Sequence, residues 1–188
     1  MKVSREQAAR NRERIVETAA QLFRERGFEG IGVADLMKEA GLTHGGFYGH
    51  FSSKEDLIAE ASDRALMHSL ALFTKVAEGT PADPLPAIAS AYLTTGHRDT
   101  PGEGCLLAAL GSDVCRQGPT VRRAVSDHVR SAVQLLAGVV PGKSKTARRQ
   151  KAISTYATLV GTMVMARAVD DGALSREILD AGLASVKA

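Results

Sequence analysis

The sequence predicts an all-α protein in which a small helical unit precedes a larger helical region. Apolar residues recur every three or four positions through most of the 188-residue chain, as they do on one face of a helix. Glycine and proline fall between these periodic segments and divide them into about nine helices. On this basis, residues 1–52 are expected to form one domain and residues 53–188 a second, larger one.

The first helix is expected over residues 7–26, where apolar side chains follow helical spacing. Gly27 ends this helix, and Phe28 can pack back on Phe23. Such an N-terminal stretch could follow a DNA backbone or could simply be a solvated helix start, and the sequence leaves both interpretations open. The charges concerned are those of Lys2, Arg5, Arg10, Arg12 and Arg14 against Glu6 and Glu13.

A tight turn separates the second helix from a third, shorter one. The second helix ends at a glycine that can take a left-handed conformation. Thr43 is then placed to cap the helix that follows. On that helix Phe47 and Phe51 share one face, whereas His44 and Tyr48 share another. Two short helices around such a turn form a helix-turn-helix, whose second helix enters the DNA major groove.

The composition of the third helix also points to DNA. Its three glycines each cost about 1 kcal/mol relative to alanine, so another role must compensate. Gly45 lies opposite the phenylalanines, where the missing side chain lets the backbone approach base edges. A packed subdomain would explain the phenylalanines alone, but the turn, cap and donors together favour DNA recognition. The residues expected at the DNA are Thr43, His44, Gly45, Gly46, Tyr48, His50 and Lys54.

The segment Gly41–Glu55, GLTHGGFYGHFSSKE, resembles the helix-turn-helix signature of the TetR family of bacterial transcriptional regulators. The resemblance implies an all-α homodimer, with residues 1–52 binding DNA and residues 53–188 binding an effector and forming the dimer. Beyond Glu55 the resemblance is limited to length, helical character and element order. Gly32 and Gly49 stand where the family often has a polar or bulkier residue, and both departures remove possible phosphate contacts.

The second domain is expected to begin with a long helix. Ser52 and Glu55 have the spacing of a capping box, and apolar periodicity continues for about 20 residues, or ~30 Å. No linker follows the first domain, so this helix is expected to be the only continuous path between the two domains. Residues 96–104 are rich in helix breakers and are expected to form a loop.

The last two helices, expected at about residues 146–169 and 175–186, carry more apolar surface than one chain readily hides. Their small residues permit close helix approach, which favours a two-fold, four-helix dimer interface. Pairing would also double the number of base pairs read. The alternative is that these helices complete the chain's own core. The small residues are Ala157, Gly161, Ala166, Ala168 and Gly182.

Side chains of the middle helices could line an effector cavity. Each is more often a core residue than a ligand contact, so the cavity rests on the family resemblance and on the length of chain beyond the first domain. With 4% aromatic residues and no tryptophan, a small aliphatic or electrophilic effector is favoured over a flat drug. The residues expected at the effector site are Tyr92, Cys105, Leu110, His128 and Met163, with Met67, Leu70, Leu107 and Met165 as further lining residues.

The two cysteines are expected to act separately. Ten residues of continuous helix would hold Cys105 and Cys115 ~15 Å apart, which excludes an intrachain disulfide. Cys105 follows a glycine loop at a helix N-terminus, where backbone N–H groups stabilise a thiolate, whereas Cys115 is expected to be buried and inert. This region is similar to the TetR branch that senses electrophiles and oxidants, although Arg167 stands in place of that branch's lysine. A buried structural role for Cys105 stays open.

Composition narrows the function classes. The net charge of +3 gives only weak support for nucleic-acid binding. No signal peptide or transmembrane run is apparent, and two cysteines do not suggest a secreted scaffold, so a cytoplasmic location is expected. No nucleophile elbow, phosphate loop or metal-ligand pattern occurs, so neither an enzyme nor a bound cofactor or metal is expected.

The predicted function is therefore a ligand- or redox-responsive transcriptional regulator, a repressor that binds a palindromic operator as a homodimer. One alternative is a DNA-binding dimer that is gated by a non-covalent small ligand, or not gated at all. A remote alternative is a thiol enzyme that uses Cys105 with His128 or His97 as its base.

Overall fold

The computed structural model describes residues 4–187, and this part of the chain is helical throughout, with nine α-helices, two short 3₁₀-helices and no β-strand. The all-α prediction is confirmed. The α-helices are α1 (Arg5–Arg26), α2 (Val33–Glu39), α3 (Lys54–Gly79), α4 (Pro84–Tyr92), α5 (Thr95–Asp99), α6 (Leu106–Val114), α7 (Pro119–Val139), α8 (Lys145–Ala168) and α9 (Gly172–Lys187), and the 3₁₀-helices are His44–Gly49 and Pro101–Glu103.

The two glycines with positive φ end the first two helices as predicted. Gly27 has φ 83°, and the ring of Phe28 packs edge-on against Phe23 with centroids 5.6 Å apart. Gly41 has φ 66°, which lets the Leu42 N–H donate to the Met37 carbonyl oxygen at 2.8 Å. Both turns use the left-handed conformation that glycine adopts without a Cβ clash.

The long helix α3 starts one residue later than the sequence predicts. Ser53, and not Ser52, is its N-cap, and the Ser53 hydroxyl accepts the Asp56 N–H at 3.0 Å. The expected capping box is therefore wrong, because Ser53 itself still has an extended backbone (φ −155°, ψ 165°). The helix runs for 26 residues. It leads from the first unit, formed by α1, α2 and the 3₁₀-helix His44–Gly49, into the second, formed by α4–α9.

The segment before Cys105 is not the loop that its helix breakers predict. Helix α4 ends at Tyr92, and residues 95–99 form the separate short helix α5. The Thr94 hydroxyl caps α5 by accepting the His97 N–H at 3.0 Å. A side-chain cap thus compensates for the glycine inside this short helix, and the 3₁₀-turn Pro101–Glu103 follows at once.

The buried apolar residues fall into two clusters that meet at α6. One cluster joins α1, α2, the 3₁₀-helix His44–Gly49 and the start of α3, and it includes Leu106 and Leu110 of α6. The other joins the far end of α3 to α4, α7, α8 and α9, and it includes Cys105 and Ala108. Helix α6 therefore belongs to both cores, and Cys105 lies where they adjoin.

A second connection joins the two regions besides α3, so the expectation of a single path is wrong. Arg24 of α1 is buried, with 7% of its surface exposed, and its Nε donates to the Gly102 carbonyl oxygen at 2.8 Å. Its Nη2 donates to the same oxygen. A Cβ at Gly102 would lie 2.9 Å from Cγ of Gln21, so a larger residue would force Gln21 to shift, and glycine favours this close approach to α1.

Helices α8 and α9 pack against each other within the chain. A Cβ at Gly182 would lie 2.9 Å from Cβ of Thr162, so this glycine allows close contact between α8 and α9 within the chain. Large apolar side chains nevertheless stay exposed on these helices: Ile153, Val164, Met165 and Leu174. Within residues 4–187, no helix has the length and apolar content needed to cross a membrane.

Candidate functional site

The short helix His44–Gly49 exposes four of its six residues: His44, Gly45, Tyr48 and Gly49. It forms a 3₁₀-helix, which suits a run with three glycines because so short a segment gains little from α-helical bonding. Thr43 stands at the N-cap with an extended backbone, but its hydroxyl makes no capping bond within residues 4–187. The expected side-chain cap is therefore wrong, and the Thr43 carbonyl oxygen instead accepts the Gly46 N–H at 3.0 Å.

This helix has the two faces that its sequence predicts. Phe47 and Phe51 are buried and stack with ring centroids 5.6 Å apart. Tyr48 points outward with 68% of its surface exposed, and the ring of His44 contacts it edge-on at 6.3 Å. The inner face anchors the helix, and the outer face is free to meet a ligand.

The glycines of the outer face leave a flat surface. A Cβ added at Gly45 or Gly49 would meet no atom of the described chain within 4 Å. Gly46 differs, because a Cβ there would lie 3.6 Å from the Thr43 hydroxyl oxygen and 3.8 Å from the Met37 methyl carbon. Gly45 and Gly49 therefore face open space, whereas Gly46 faces the turn.

Two cationic side chains near this surface differ in how strongly they are paired within the chain. Lys54 is the first residue of α3, and its Nζ lies 3.5 Å from a carboxylate oxygen of the exposed Glu29. Arg12, in contrast, forms a two-pronged ion pair with Glu60 and lies over the Phe51 ring at 4.7 Å. Arg12 thus ties α1 to α3, and Lys2 of the expected basic arm lies outside the described residues.

A cavity of about 230 Å³ opens in the second region, beside Cys105. Its wall includes Tyr92 and Cys105, as predicted for the effector site, together with residues that the sequence analysis had not placed there: His68, Phe73, His97 and Glu103. For His97, the sequence signal was a polar residue eight positions before Cys105. The prediction of a loop over residues 96–104 led the sequence analysis to overlook it.

Among residues 4–187, the other predicted effector residues do not line this cavity. Leu110 is buried in the core that includes the first unit, and Met163 is buried in the second core. His128 is buried and hydrogen-bonded through Nε2 to the Tyr156 hydroxyl at 3.0 Å. Met67 and Met165 are exposed, so the expectation that they line a cavity is wrong.

Cys105 is the N-cap of α6 and is held by His97. Its backbone N–H donates to Nε2 of His97 at 3.0 Å, so Nδ1 must carry the imidazole proton, and Nδ1 donates to the Tyr92 carbonyl oxygen at 2.7 Å. Burial lowers the pKa of His97, and the positive charge of Arg167 lowers it further. The hydrogen bond to the Tyr92 carbonyl oxygen opposes this shift. The neutral imidazole is the form that can accept the Cys105 N–H.

Arg167 braces the same segment from α8. Its Nη2 donates to the His97 carbonyl oxygen at 2.5 Å and its Nε to the Arg98 carbonyl oxygen at 3.1 Å. Burial lowers the pKa of Arg167, an effect opposed first by Tyr92 and then by Cys105 and Asp99. The guanidinium also lies beside the residue that precedes Cys105, since its Nη2 is 3.1 Å from where a Cβ of Gly104 would stand.

Cys115 is exposed, so the expectation that it is buried is wrong. Helix α6 ends at Val114, and Cys115 follows as its C-cap, where the side chain reaches the surface beside Arg122. Its thiol makes only a long contact to the Gly111 carbonyl oxygen, at 3.6 Å. Position at a helix end, and not the apolar sequence around it, decides its exposure.

A glycine turn followed by an exposed second helix that is anchored by two phenylalanines defines a helix-turn-helix regulator. Residues 15–61 match the family model for bacterial regulatory proteins of the tetR family. These residues therefore form a DNA-binding domain of the TetR family of transcriptional regulators.

The similar proteins include the HTH-type transcriptional repressor NemR of Escherichia coli K12, 30% identical over 128 residues. That alignment covers 66% of this chain and 64% of the repressor. An HTH-type transcriptional regulator of Mycobacterium tuberculosis is 29% identical over 172 residues, covering 83% of this chain and 84% of that protein.

The fold is shared over a longer span. The crystal structure of E. coli NemR in its reduced form superposes with a TM-score of 0.78 at 26% identity, covering 95% of this chain and 96% of that one. A TetR-family regulator of Agrobacterium tumefaciens superposes with a TM-score of 0.76 at 25% identity, covering 95% and 98%.

Proposed function

We propose that the chain is a transcriptional repressor that binds a palindromic operator as a homodimer and leaves it when Cys105 is modified. The observation that carries this proposal is the position of Cys105. Its thiol lines a cavity, and the loop just before it is hydrogen-bonded to α1 of the DNA-binding unit through Arg24. The similarity to a repressor whose crystal structure is that of a reduced form supports a redox-responsive role.

For DNA binding, the outer face of the helix His44–Gly49 has suitable chemistry. Tyr48 and His44 offer donors on an exposed surface, and the bare backbone at Gly45 allows close approach to bases. Lys54 can exchange its exposed partner Glu29 for a phosphate oxygen at little cost, since exposed ion pairs contribute at most about 1 kcal/mol. Phosphate contacts position the helix, and base contacts specify the site.

For the homodimer, the exposed apolar side chains of α8 and α9 provide the surface. Ile153, Val164 and Leu174 gain from being covered, at roughly 25 cal/mol per Å² of apolar area removed from water. A two-fold pair would place two recognition helices about one DNA turn apart, ~34 Å. Half-site spacing then becomes sensitive to small movements of each DNA-binding unit.

The route from Cys105 to DNA follows the loop that precedes it. An adduct or oxygen on the buried thiol adds bulk or charge in a packed region, and His97, Gly102 and Arg24 transmit the displacement to α1. Helix α1 is in turn joined to α3 by two ion pairs, Arg12 with Glu60 and Arg64 with Glu13. Both connections would therefore move the recognition helix together.

The cavity favours one second candidate, a non-covalent small ligand. Its volume of about 230 Å³ would admit a small organic molecule beside Phe73 and Tyr92. In that case the same loop would move without any change to the thiol. The two candidates differ in what happens when Cys105 is replaced by serine.

The test uses operator DNA selected from a random duplex library in reducing buffer. Binding is followed by fluorescence anisotropy before and after hydrogen peroxide or N-ethylmaleimide. We expect the wild type to be released, Cys105→Ser to stay bound, and Cys115→Ser to behave like the wild type. Release of Cys105→Ser to the wild-type extent would reject the thiol switch and leave the non-covalent ligand as the better explanation.

A further inference from the structure

Two buried donors beside Cys105 lack acceptors. The Tyr92 side chain, with 3% of its surface exposed, has a hydroxyl without a hydrogen-bond partner among residues 4–187. In the same described range, Nη1 of Arg167 is also buried and unpartnered, although the other guanidinium nitrogens bond to carbonyl oxygens. Buried polar groups are normally satisfied, so a pair of unsatisfied donors calls for an acceptor that arrives later.

Both donors belong to residues beside Cys105: Tyr92 lines the same cavity, and Nη2 of Arg167 lies 3.1 Å from where a Cβ of Gly104, the preceding residue, would stand. The pKa of Tyr92 is raised well above its usual value, first by burial and then by the neighbouring Cys105. The charge of Cys105 also acts on Arg167, where it opposes the fall in pKa that burial causes. Tyr92 and Cys105 line the same cavity, so an atom added to the sulfur has room beside the phenol.

We infer that Tyr92 and Arg167 form a site for the oxygen atom of a sulfenate at Cys105, so that oxidation stops at this state. The inference rests on the proposed thiol switch and specifies its oxidised form. In the step itself, the Cys105 thiolate attacks one oxygen of a peroxide. An S–O bond forms, the O–O bond breaks, and the hydroxide that leaves takes the proton of the transferred oxygen, which gives water and the sulfenate. Sulfur is oxidised by two electrons, and the peroxide is reduced by the same two.

The surroundings explain why the sulfenate would persist. Sulfenic acids condense with a thiol or with a nitrogen atom, and the described side chains that line the cavity include no lysine and no second cysteine. Cys115 is exposed at the opposite end of α6, beyond the reach of a disulfide. A sulfenate oxygen would instead accept from the Tyr92 hydroxyl and from Nη1 of Arg167, and both unsatisfied donors would then be paired.

Tyr156 provides a matched control. Its hydroxyl also faces Cys105, and its pKa is raised first by burial and then by that residue. Unlike Tyr92, however, it already has a partner, the Nε2 of His128 at 3.0 Å. Tyr92→Phe and Tyr156→Phe remove the same atom from similar rings, so a difference between them reports on the free hydroxyl.

The experiment uses the full chain carrying Cys115→Ser, so that one thiol remains. Protein that has gained one oxygen is prepared with peroxide, freed of oxidant and identified by intact mass and by reaction with dimedone. A second peroxide dose then converts it to the sulfinate, and intact mass follows the gain of the second oxygen. Hydrogen bonds lower the electron density of the sulfenate, so Tyr92→Phe should speed this second step by about tenfold. Tyr156→Phe should speed it by no more than about twofold.

Equal rates in Tyr92→Phe and its parent, or equal acceleration in both tyrosine variants, would overturn the inference. So would a product lighter than the thiol by two hydrogens, which would mean that the sulfenic acid condenses within the chain. Operator binding is measured on the same samples to separate this inference from the proposed function. If release depends on Cys105 but the rates are equal, only the sulfenate site is wrong; if Cys105→Ser is released as well, the thiol switch itself is wrong.

Discussion

Replacing Arg24 by methionine tests whether the loop before Cys105 communicates directly with the DNA-binding unit. Arg24 makes two hydrogen bonds to the Gly102 carbonyl oxygen, from Nε and Nη2. Methionine keeps an unbranched apolar stem of similar length in the same buried position and removes only the polar tie. The variant should therefore fold while the connection is lost.

The expected magnitudes follow from this geometry. A hydrogen bond from a charged donor contributes about 1.5–3 kcal/mol, and two bonds to one oxygen are less than additive, so the tie stabilises the contact by ~2 kcal/mol. Burial of the guanidinium offsets part of this, as the lowered pKa of Arg24 reflects. We expect a net loss of about 1 kcal/mol in the free energy of unfolding, or about 2–4 °C in Tm for a chain of this size.

Arg24→Met should reduce the coupling between Cys105 oxidation and operator affinity more than it reduces the free energy of unfolding. If the tie carries 1–2 kcal/mol of coupling, Arg24→Met should reduce the ratio of reduced to oxidised operator affinity by about 5- to 30-fold. Affinity in reducing buffer should change by no more than about threefold, because Arg24 is buried and does not face DNA.

Fluorescence anisotropy with selected operator DNA, before and after peroxide, measures both quantities. Arg26→Met is the control, since Arg26 lies on the same helix, two residues further on, and pairs with Glu39 at 3.9 Å and not with the loop. An unchanged affinity ratio in Arg24→Met, with Tm lowered as expected, would refute the second connection and leave α3 as the route.

Three further predictions concern the DNA-binding surface and the His97 brace. Lys54→Ala should weaken binding to all duplexes alike and make the dependence of affinity on salt shallower by about one ion; an unchanged salt slope would remove Lys54 from the contacts. Gly45→Leu should leave Tm equal or higher but abolish specific binding, and normal operator affinity would mean that another face reads DNA. The folded-state pKa of His97 is lowered, so the stability that neutral His97 contributes is present above its unfolded pKa near 6.5 and is lost as the pH falls below that value. Between about pH 7 and 5, the Tm of His97→Gln should therefore fall less than the Tm of the wild type. Equal falls in Tm would contradict this role for His97.

The helix-turn-helix was predictable because its determinants are local. Gly41 sets the turn, Leu42 bonds back to Met37, and Phe47 and Phe51 meet four residues apart. Each of these contacts joins residues within one or two helical turns, where spacing in the sequence determines spacing in the fold. Errors at this level were small, such as the one-residue shift of the α3 cap to Ser53.

The surroundings of Cys105 were less predictable because they depend on distant partners. Arg24 and Gly102 are 78 residues apart in sequence, and Arg167 and His97 are 70 apart. Periodicity places such residues on a helix face but does not say which loop that face meets. The Thr94 cap that creates α5 was missed as well, since glycine and proline in the same segment predict a loop.

The position of Cys105 also explains how a small chemical change could move a large unit. The two apolar cores would resist displacement, because each buries many side chains at roughly 25 cal/mol per Å². The loop before Cys105 is held differently, by a few polar ties from Arg24, His97 and Arg167. Ties of this kind contribute about 1–2 kcal/mol each, so new hydrogen bonds to an oxygen atom on the sulfur are strong enough to rearrange them. A change that exchanges these ties can therefore reorient the DNA-binding unit while both cores stay intact.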